Sequence, residues 1–225
     1  MIHLTIDGSD IAVADGRTLL EACRENGIDV PTLCYHPALE PYGACRLCIV
    51  EIVEIVEDTN SSRLVASCAY PCQEGLQVET NSAAVRRNRR LTAELLLAGA
   101  YRNPEIVALA DKLGVEEPRY RLPDADSCVL CGLCVRACNE IVGISAISMI
   151  NRGSTKQVSV PFATVSSSCI SCGTCVLMCP TGKLTLNDVS GLHLPQHPFA
   201  DYQQFYCQLC DDTAQIPMNG SRSAG

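Results

Sequence analysis

The sequence predicts an α+β fold divided among several small units rather than one large domain. The first residues alternate apolar and polar side chains as a strand does, a helical segment occupies the middle, and one cysteine motif occurs twice between residues 128 and 179. Of the 225 residues 16 are cysteine, three are phenylalanine and none is tryptophan. Because large aromatic residues are so scarce, we expect cysteine-bound metal to hold the small domains together.

The N-terminal segment predicts a β-hairpin followed by a helix. Residues 2–6 and 11–14 have strand patterns and are separated by a cluster of turn-forming residues. Thr18 and Glu21 have the spacing of a capping box, so we expect a helix to begin there and to end at Gly27.

Two β-branched runs, at 49–56 and 64–67, follow a loop that contains cysteines. Hairpin, helix, cysteine loop and further strands form the element order of a β-grasp domain, which we predict for residues 1–81.

A helical connector and linker is predicted for residues 82–126. Residues 82–99 have a helical pattern whose apolar stripe is formed by Leu91, Leu95 and Leu96. Asn103, followed by proline, has the features of an N-cap, so a second helix is expected from there to Gly114.

Charge and hydropathy exclude some classes of partner. The formal net charge is −8, which argues against a nucleic-acid-binding protein, and we expect the one basic run, at 86–90, to be a solvated or subunit-facing helix surface. No apolar stretch approaches the roughly 20 residues that a membrane span needs. The first residues do not resemble a signal peptide, so we expect a cytoplasmic protein with reduced cysteines.

The repeated cysteine motif is the strongest signal in the chain. It reads Cys128-x2-Cys131-x2-Cys134-x3-Cys138 and returns as Cys169-x2-Cys172-x2-Cys175-x3-Cys179. Three cysteines spaced in this way can bind one face of a [4Fe–4S] cubane, and in two-cluster ferredoxins the fourth ligates the other cubane. The expected ligand sets are Cys128, Cys131, Cys134 and Cys179 for the first cubane, and Cys169, Cys172, Cys175 and Cys138 for the second.

Zinc and disulfides are the alternative explanations for this repeat. Zinc sites normally use pairs of cysteines in one group of four, and disulfides between such close neighbours are sterically awkward. We therefore predict a two-cubane ferredoxin-like domain over residues 127–186, with a hairpin between the two motifs that turns at 151–153.

A second group of cysteines lies in the N-terminal domain and suggests a [2Fe–2S] cluster. Cys34, Cys45 and Cys48 supply three ligands, and from spacing alone either Cys68 or Cys72 could supply the fourth. A glycine at 43 allows backbone amides of this loop to approach the sulfur atoms.

This cysteine loop resembles a known [2Fe–2S] domain in three stretches: residues 31–37 (PTLCYHP), 43–51 (GACRLCIVE) and 66–68 (ASC). The domain is shared by the small diaphorase subunit of NAD-linked hydrogenases, the large iron–sulfur subunit of respiratory complex I and multimeric iron-only hydrogenases. The resemblance extends over about residues 1–185. It implies that Cys68 is the fourth ligand and leaves Cys23 and Cys72 as core or spare thiols.

The sequence departs from this family in one respect. The family carries a third cubane, bound by one His and three Cys, yet no His or Cys occurs between Cys72 and Cys128. We therefore expect three clusters, one [2Fe–2S] and two [4Fe–4S], with the helices of the connector in place of the missing site.

The tail, residues 187–225, has an irregular pattern. It contains four possible metal ligands: His193, His197, Cys207 and Cys210. They could bind zinc, share a metal or cluster with a partner chain, or have no metal role.

The chain has no dinucleotide-binding glycine loop, no P-loop and no nucleophile paired with a base, so no catalytic residue is predicted. The predicted function is electron transfer, with chemistry located in partners. The resemblance implies two of them: a flavin-bearing NAD(P)-linked subunit and a terminal catalytic subunit such as a hydrogenase or formate dehydrogenase. The alternative is a zinc-bound structural or adaptor protein.

Overall fold

The computed structural model describes residues 1–56, 59–122, 127–160, 169–170 and 172–184. Its strands are β1 (Ile2–Ile6), β2 (Ser9–Val13), β3 (Ile49–Val56), β4 (Thr59–Ala66), β5 (Gln77–Glu79), β6 (Ser148–Ile150) and β7 (Gln157–Ser159). Its α-helices are α1 (Leu19–Glu25), α2 (Ala83–Ala100), α3 (Pro104–Lys112), α4 (Leu133–Arg136) and α5 (Thr174–Leu177). The predicted tail site (His193, His197, Cys207 and Cys210) lies outside the described residues.

Within the described residues, the first five strands form one sheet in the order β2-β1-β5-β3-β4. β1 and β2 are antiparallel, as are β3 and β4, whereas β5 runs parallel to β1 and joins the two hairpins. Helix α1 buries its apolar residues in the same core. This is the predicted β-grasp arrangement within an α+β fold.

The first hairpin is tighter than expected. Strand β2 begins at Ser9, so the turn consists only of Asp7 and Gly8, whose φ angles are 49° and 80°. Two residues with positive φ match the right-handed twist of the flanking strands, which favours such short turns. β4 also begins earlier than the β-branched run indicates, because polar residues from Thr59 onward pair with β3.

Helix α1 has the predicted ends. The Thr18 hydroxyl accepts a hydrogen bond from the Glu21 N–H, and the Glu21 carboxylate accepts one from the Thr18 N–H at 2.8 Å. Gly27, with φ of 72°, follows the C-cap. In α3 the Asn103 side chain likewise accepts from the Ile106 N–H at the predicted N-cap.

Helix α2 turns a different face inward from the one predicted. Leu91 and Leu95 are 46% and 64% exposed, whereas Val85, Ala93 and Leu97 are buried. The last two of these pack with α3 in one apolar cluster. The predicted stripe of Leu91, Leu95 and Leu96 is therefore not the buried face of α2, although Leu96 is partly buried in this cluster.

The two halves of the cysteine repeat have similar backbones. Gly132 and Gly173 occupy equivalent positions, with φ of 77° and 73°, and each precedes a short helix, α4 or α5. After α4 the chain continues into a π-helical turn, Ala137–Ile141, whereas Pro180 follows Cys179 in the second half. Because proline has no N–H to donate, the second half cannot continue in the same way.

The predicted hairpin between the two cysteine motifs is present as β6 and β7, paired antiparallel. Its connection contains Asn151 and Gly153, both with positive φ. Among the described residues, no helix is both long enough and apolar enough to span a membrane.

Candidate functional site: three groups of cysteine thiols

The four cysteines predicted to bind the [2Fe–2S] cluster lie together at one end of the sheet. We call Cys34, Cys45, Cys48 and Cys68 the N-terminal thiol site. The Cys45 N–H donates to Cys34 Sγ at 3.3 Å, and the thiols interact as two hydrogen-bonded pairs, Cys34 with Cys45 and Cys48 with Cys68. Cys34, Cys48 and Cys68 are fully buried.

Hydrogen bonds within these pairs prepare two of the thiols to ionise. The hydrogen bond from Cys45 lowers the pKa of Cys34 to about 6, and the one from Cys68 lowers the pKa of Cys48 to about 6. The same bonds, together with burial, raise the pKa values of Cys45 and Cys68. Since the thiolate is the metal-binding form, the site offers two sulfurs ready to ligate near neutral pH.

Backbone amides of the loop point at these sulfurs, as Gly43 led us to expect. The N–H groups of Gly43, Ala44 and Leu47 hydrogen-bond the sulfurs of Cys68, Cys34 and Cys45, and each bond lowers the pKa of the thiol concerned. Gly43 has φ of 64° and so adopts a conformation that few other residues tolerate.

Cys72, the alternative fourth ligand, is directed elsewhere. It is buried in the core beside α1, where burial and the charges of Glu21 and Glu25 raise its pKa to about 11. Cys23 lies in the same core, and its pKa is also raised to about 11, mainly by burial. Both residues therefore pack as core thiols.

The second triplet and the distant cysteine predicted to join it line one cavity. Cys169, Cys172, Cys175 and Cys138, here called the second triplet site, lie there together with apolar side chains such as Val142 and Ile147. The Ala146 N–H donates to Cys138 Sγ at 3.2 Å. Burial raises the pKa of Cys175 to about 11.

The first triplet and the distant cysteine predicted to join it also line one space. Cys128, Cys131, Cys134 and Cys179, here called the first triplet site, line a groove between the cysteine repeat and α2. Burial raises the pKa values of Cys131 and Cys134 to about 11 and 12. Burial also acts to raise the pKa of Cys179, but hydrogen bonds from the Leu184 N–H and from Thr181 lower it overall.

The donor chemistry of both triplet sites fits iron–sulfur clusters. Each site offers four soft sulfur ligands, and two of the sulfurs have a neighbouring hydroxyl: Thr174 lies 3.3 Å from the Cys172 sulfur and Thr181 lies 3.5 Å from the Cys179 sulfur. In each site one cysteine comes from the opposite half of the repeat. The structure thus brings the predicted ligand sets together.

The N-terminal thiol site and the first triplet site are adjacent. Cys34 and Cys131 belong to one buried cluster, which also contains Leu39, Leu133 and Met178. The two cysteine loops therefore pack against each other directly. The arrangement places two groups of cysteine thiols at a shared apolar interface.

Arg136, which lies between Cys134 and Cys138 in the sequence, forms several contacts across this interface. Its guanidinium donates to the Cys34 carbonyl at 3.1 Å and to the Glu40 carbonyl, and forms an ion pair with Glu140 at 3.1 Å. It also lies 5.1 Å from the centre of the Tyr42 ring. The Glu140 carboxylate in turn accepts from the Glu40 N–H at 2.8 Å.

Sequence reasoning did not find Arg136, and it misjudged Arg89. Both donate to backbone carbonyls distant in sequence, which no local pattern reveals. Within the basic run, Arg86, Arg87 and Arg90 are exposed, as the prediction of a solvated or subunit-facing helix surface requires, but the prediction is wrong for Arg89, which is 7% exposed.

Comparison with known proteins finds iron–sulfur domains over the same parts of the chain. Residues 1–83 match the family model of the 2Fe-2S iron-sulfur cluster binding domain, and residues 127–183 match that of the 4Fe-4S dicluster domain. One chain of the crystal structure of an NAD+-reducing [NiFe]-hydrogenase in the H2-reduced state is 31% identical, with a TM-score of 0.66. The match covers 81% of this chain and 86% of that one.

The chain belongs to the family of iron–sulfur subunits shared by NAD-linked hydrogenases and NADH-quinone oxidoreductases. Its cofactors are therefore one [2Fe–2S] cluster and two [4Fe–4S] clusters, as predicted, and its function is electron transfer. The alternative of a zinc-bound adaptor finds no support in either family model.

Curated relatives of this iron–sulfur subunit are longer proteins. The NADPH-Fe(3+) oxidoreductase subunit alpha of Geobacter sulfurreducens and the NADP-reducing hydrogenase subunit HndD of Solidesulfovibrio fructosivorans are each 33% identical over 82% of this chain. An NADH-quinone oxidoreductase subunit of Rickettsia prowazekii is 30% identical over the same share. The chain spans 24%, 36% and 30% of their lengths, respectively.

Proposed function

We propose that this iron–sulfur subunit relays electrons within a multi-subunit oxidoreductase, between a flavin-bearing subunit that reacts with NAD(P)(H) and a subunit with the terminal active site. A hydrogenase or a formate dehydrogenase is the type of complex expected. The names of the relatives described above all include a nicotinamide nucleotide or a reaction linked to one. That shared element supports the nicotinamide-linked partner.

The observation that carries the proposal is the direct packing of the N-terminal thiol site on the first triplet site, through Cys34 and Cys131. A storage or structural role gives no reason to bury two metal-binding loops against each other. Iron–sulfur clusters supply one-electron chemistry when bound, and their reduction potentials respond to hydrogen bonds and burial. The chain contributes an apolar interface that excludes water and fixes the separation of the loops.

The ligand assignment is part of the proposal. The N-terminal thiol site holds the [2Fe–2S] cluster, and the first and second triplet sites each hold one cubane, with Cys179 and Cys138 exchanged between the halves. The shared lining of each cavity supports this exchange. The number of thiols kept reduced for iron also favours a cytoplasmic location.

The direct test uses the native complex. The chain is tagged in its source cell and purified without oxygen, and co-purifying proteins are identified by mass spectrometry. We expect a flavoprotein among them, and we expect NADH or NADPH to reduce the iron–sulfur signals of the complex but not those of the isolated chain. Reduction of the isolated chain by either nucleotide, or purification without a flavoprotein, would contradict the proposal.

The tail has a separate test. We propose that residues 190–225 help to attach the subunit to its partners, because prolines, aromatic residues and a pair of cysteines follow the last cubane ligand. Deleting them should leave the iron content unchanged and reduce co-purification of the partners. Zinc analysis of the full-length and truncated chains shows whether His193, His197, Cys207 and Cys210 bind that metal. Unchanged assembly and unchanged metal content would show that the tail has neither role.

A further inference from the structure

Arg89 is a buried cation on a helix whose other basic residues reach solvent. It lies on α2, within the basic run at 86–90, and is 7% exposed. Removing a guanidinium from water is costly unless nearby groups compensate its charge. The groups around the Arg89 guanidinium therefore indicate the role of its charge.

The guanidinium lies against the first residues of β3, beside a cysteine ligand. Its Nε donates to the Leu47 carbonyl at 3.1 Å and its Nη2 donates to the Ile49 carbonyl at 2.7 Å. These two carbonyls flank Cys48, so the fork of the guanidinium straddles one residue of the N-terminal thiol site. Arginine suits this position because its planar donors can bond two acceptors at once.

The carbonyls satisfy hydrogen bonds but leave the charge unbalanced. Among the residues that the structure describes, no Asp or Glu forms a salt bridge with Arg89. Two carboxylates, Asp29 and Asp7, act on its charge through space. The groups that it contacts directly are the carbonyls of Leu47 and Ile49, one on each side of Cys48. A buried cation that is hydrogen-bonded on both sides of a cluster ligand is placed to respond to the charge of the cluster.

We propose that Arg89 supplies buried positive charge to the [2Fe–2S] centre and thereby raises the reduction potential of that centre. The proposal rests on the ligand set proposed above. Reduction adds one electron, and hence one negative charge, to that centre. A fixed cation in a region of low dielectric stabilises the reduced state more than the oxidised state.

The test separates charge from hydrogen bonding with three variants of the full-length chain. Arg89→Gln keeps donors but removes the charge, Arg89→Lys keeps the charge but loses the fork, and Arg90→Gln removes an exposed charge from the next position on the same helix. Each protein is titrated with dithionite as reductant. The [2Fe–2S] signal is followed by electron paramagnetic resonance at temperatures where cubane signals broaden.

For Arg89→Gln we expect the equilibrium constant for reduction to fall roughly tenfold, which corresponds to about 59 mV for a one-electron couple. Arg89→Lys should keep most of the wild-type potential, and Arg90→Gln should leave it unchanged. An unchanged potential in Arg89→Gln would overturn the proposal. Equal shifts in the Gln and Lys variants would also overturn it, because they would assign the effect to hydrogen bonding alone.

Loss of the [2Fe–2S] cluster in a variant of Arg89 also tests the proposal. If Arg89→Gln fails to retain the [2Fe–2S] spectrum while Arg89→Lys retains it, the charge is required and the proposal stands. If both variants lose the cluster, Arg89 is a structural residue and the proposal fails. The wild-type spectrum is the independent control, since absence of a [2Fe–2S] signal there would refute the ligand set rather than the role of Arg89.

Discussion

The two cluster-binding regions are stabilised in different ways. The N-terminal region has a five-stranded sheet and a helix around a continuous apolar core, in which Ile6, Leu19 and Ile52 are fully buried. In the region of the cysteine repeat, the described elements are short, and its buried clusters consist in large part of the cysteines themselves. The core of the first region consists mostly of aliphatic side chains, although Cys48 and Cys68 lie within it, whereas the described clusters of the second region are built largely around its cysteines.

Because the two regions are stabilised differently, we expect their amide protection to respond differently to removal of iron. This is the largest of the expected effects. After chelation, β3 should keep its amide protection, because its contacts are apolar. Residues 131–138 should lose protection by roughly a hundredfold, because their folding free energy comes largely from metal binding. Hydrogen exchange read by mass spectrometry compares the two segments in one sample. Equal loss in both segments would show that the regions unfold as one unit.

The exchange of cysteines between the halves gives the next largest effect. Cys138→Ala should remove the cubane of the second triplet site and about four irons. Double variants identify the cubane that is lost, because two substitutions in the same site remove no more iron than one of them does. Adding Cys172→Ala should cost no further iron, whereas adding Cys131→Ala should remove the cubane of the first triplet site as well. The opposite result would place Cys138 with the nearer triplet.

The fourth ligand of the N-terminal thiol site can be tested with a matched pair of substitutions. Cys68→Ser should remove or perturb the [2Fe–2S] spectrum, because Cys68 is hydrogen-bonded to Cys48. Cys72→Ser should leave the spectrum intact, because Cys72 faces α1 in the core. Visible circular dichroism of the purified chains measures the difference. A normal spectrum in the first variant and a lost one in the second would move the ligand to Cys72.

The smallest effect concerns the contact between the regions. Arg136→Gln removes the ion pair with Glu140 and weakens the hydrogen bonds to the Cys34 and Glu40 carbonyls, a loss of about 2 kcal/mol. Amide exchange in residues 34–45 should then accelerate by roughly 30-fold without loss of iron. Arg152→Gln, which changes an exposed arginine in the same region, is the control and should have no effect. Unchanged exchange in Arg136→Gln would show that apolar packing alone fixes the interface.

Features with a local cause could be predicted from the sequence. The capping box of Thr18 and Glu21 and the N-cap at Asn103 depend on residues three apart, and the cysteine spacing depends on the shape of the cluster. These predictions are confirmed for the helix starts. The same spacing led to ligand sets that meet in the structure, although the assignment of each cysteine to its cluster remains a prediction.

Features with a distant cause could not be predicted. Strand β5 has only three residues, and it exists because β1 and β3 provide partners on both sides. Arg89 and Arg136 bond to carbonyls about 40 and 100 residues away, which no pattern of periodicity reveals. The buried face of α2 likewise depends on contacts with α3, through Ala93 and Leu97, which the spacing of its leucines does not reveal.

The central claim is that this chain holds three clusters, and metal analysis of anaerobically prepared protein tests it most directly. Iron and acid-labile sulfide are measured per chain, and reducible centres are counted by electron paramagnetic resonance. We predict about ten irons and three centres, one of them [2Fe–2S]. About fourteen irons with a fourth reducible centre would contradict the account, because no His or Cys between Cys72 and Cys128 is available to hold another cubane.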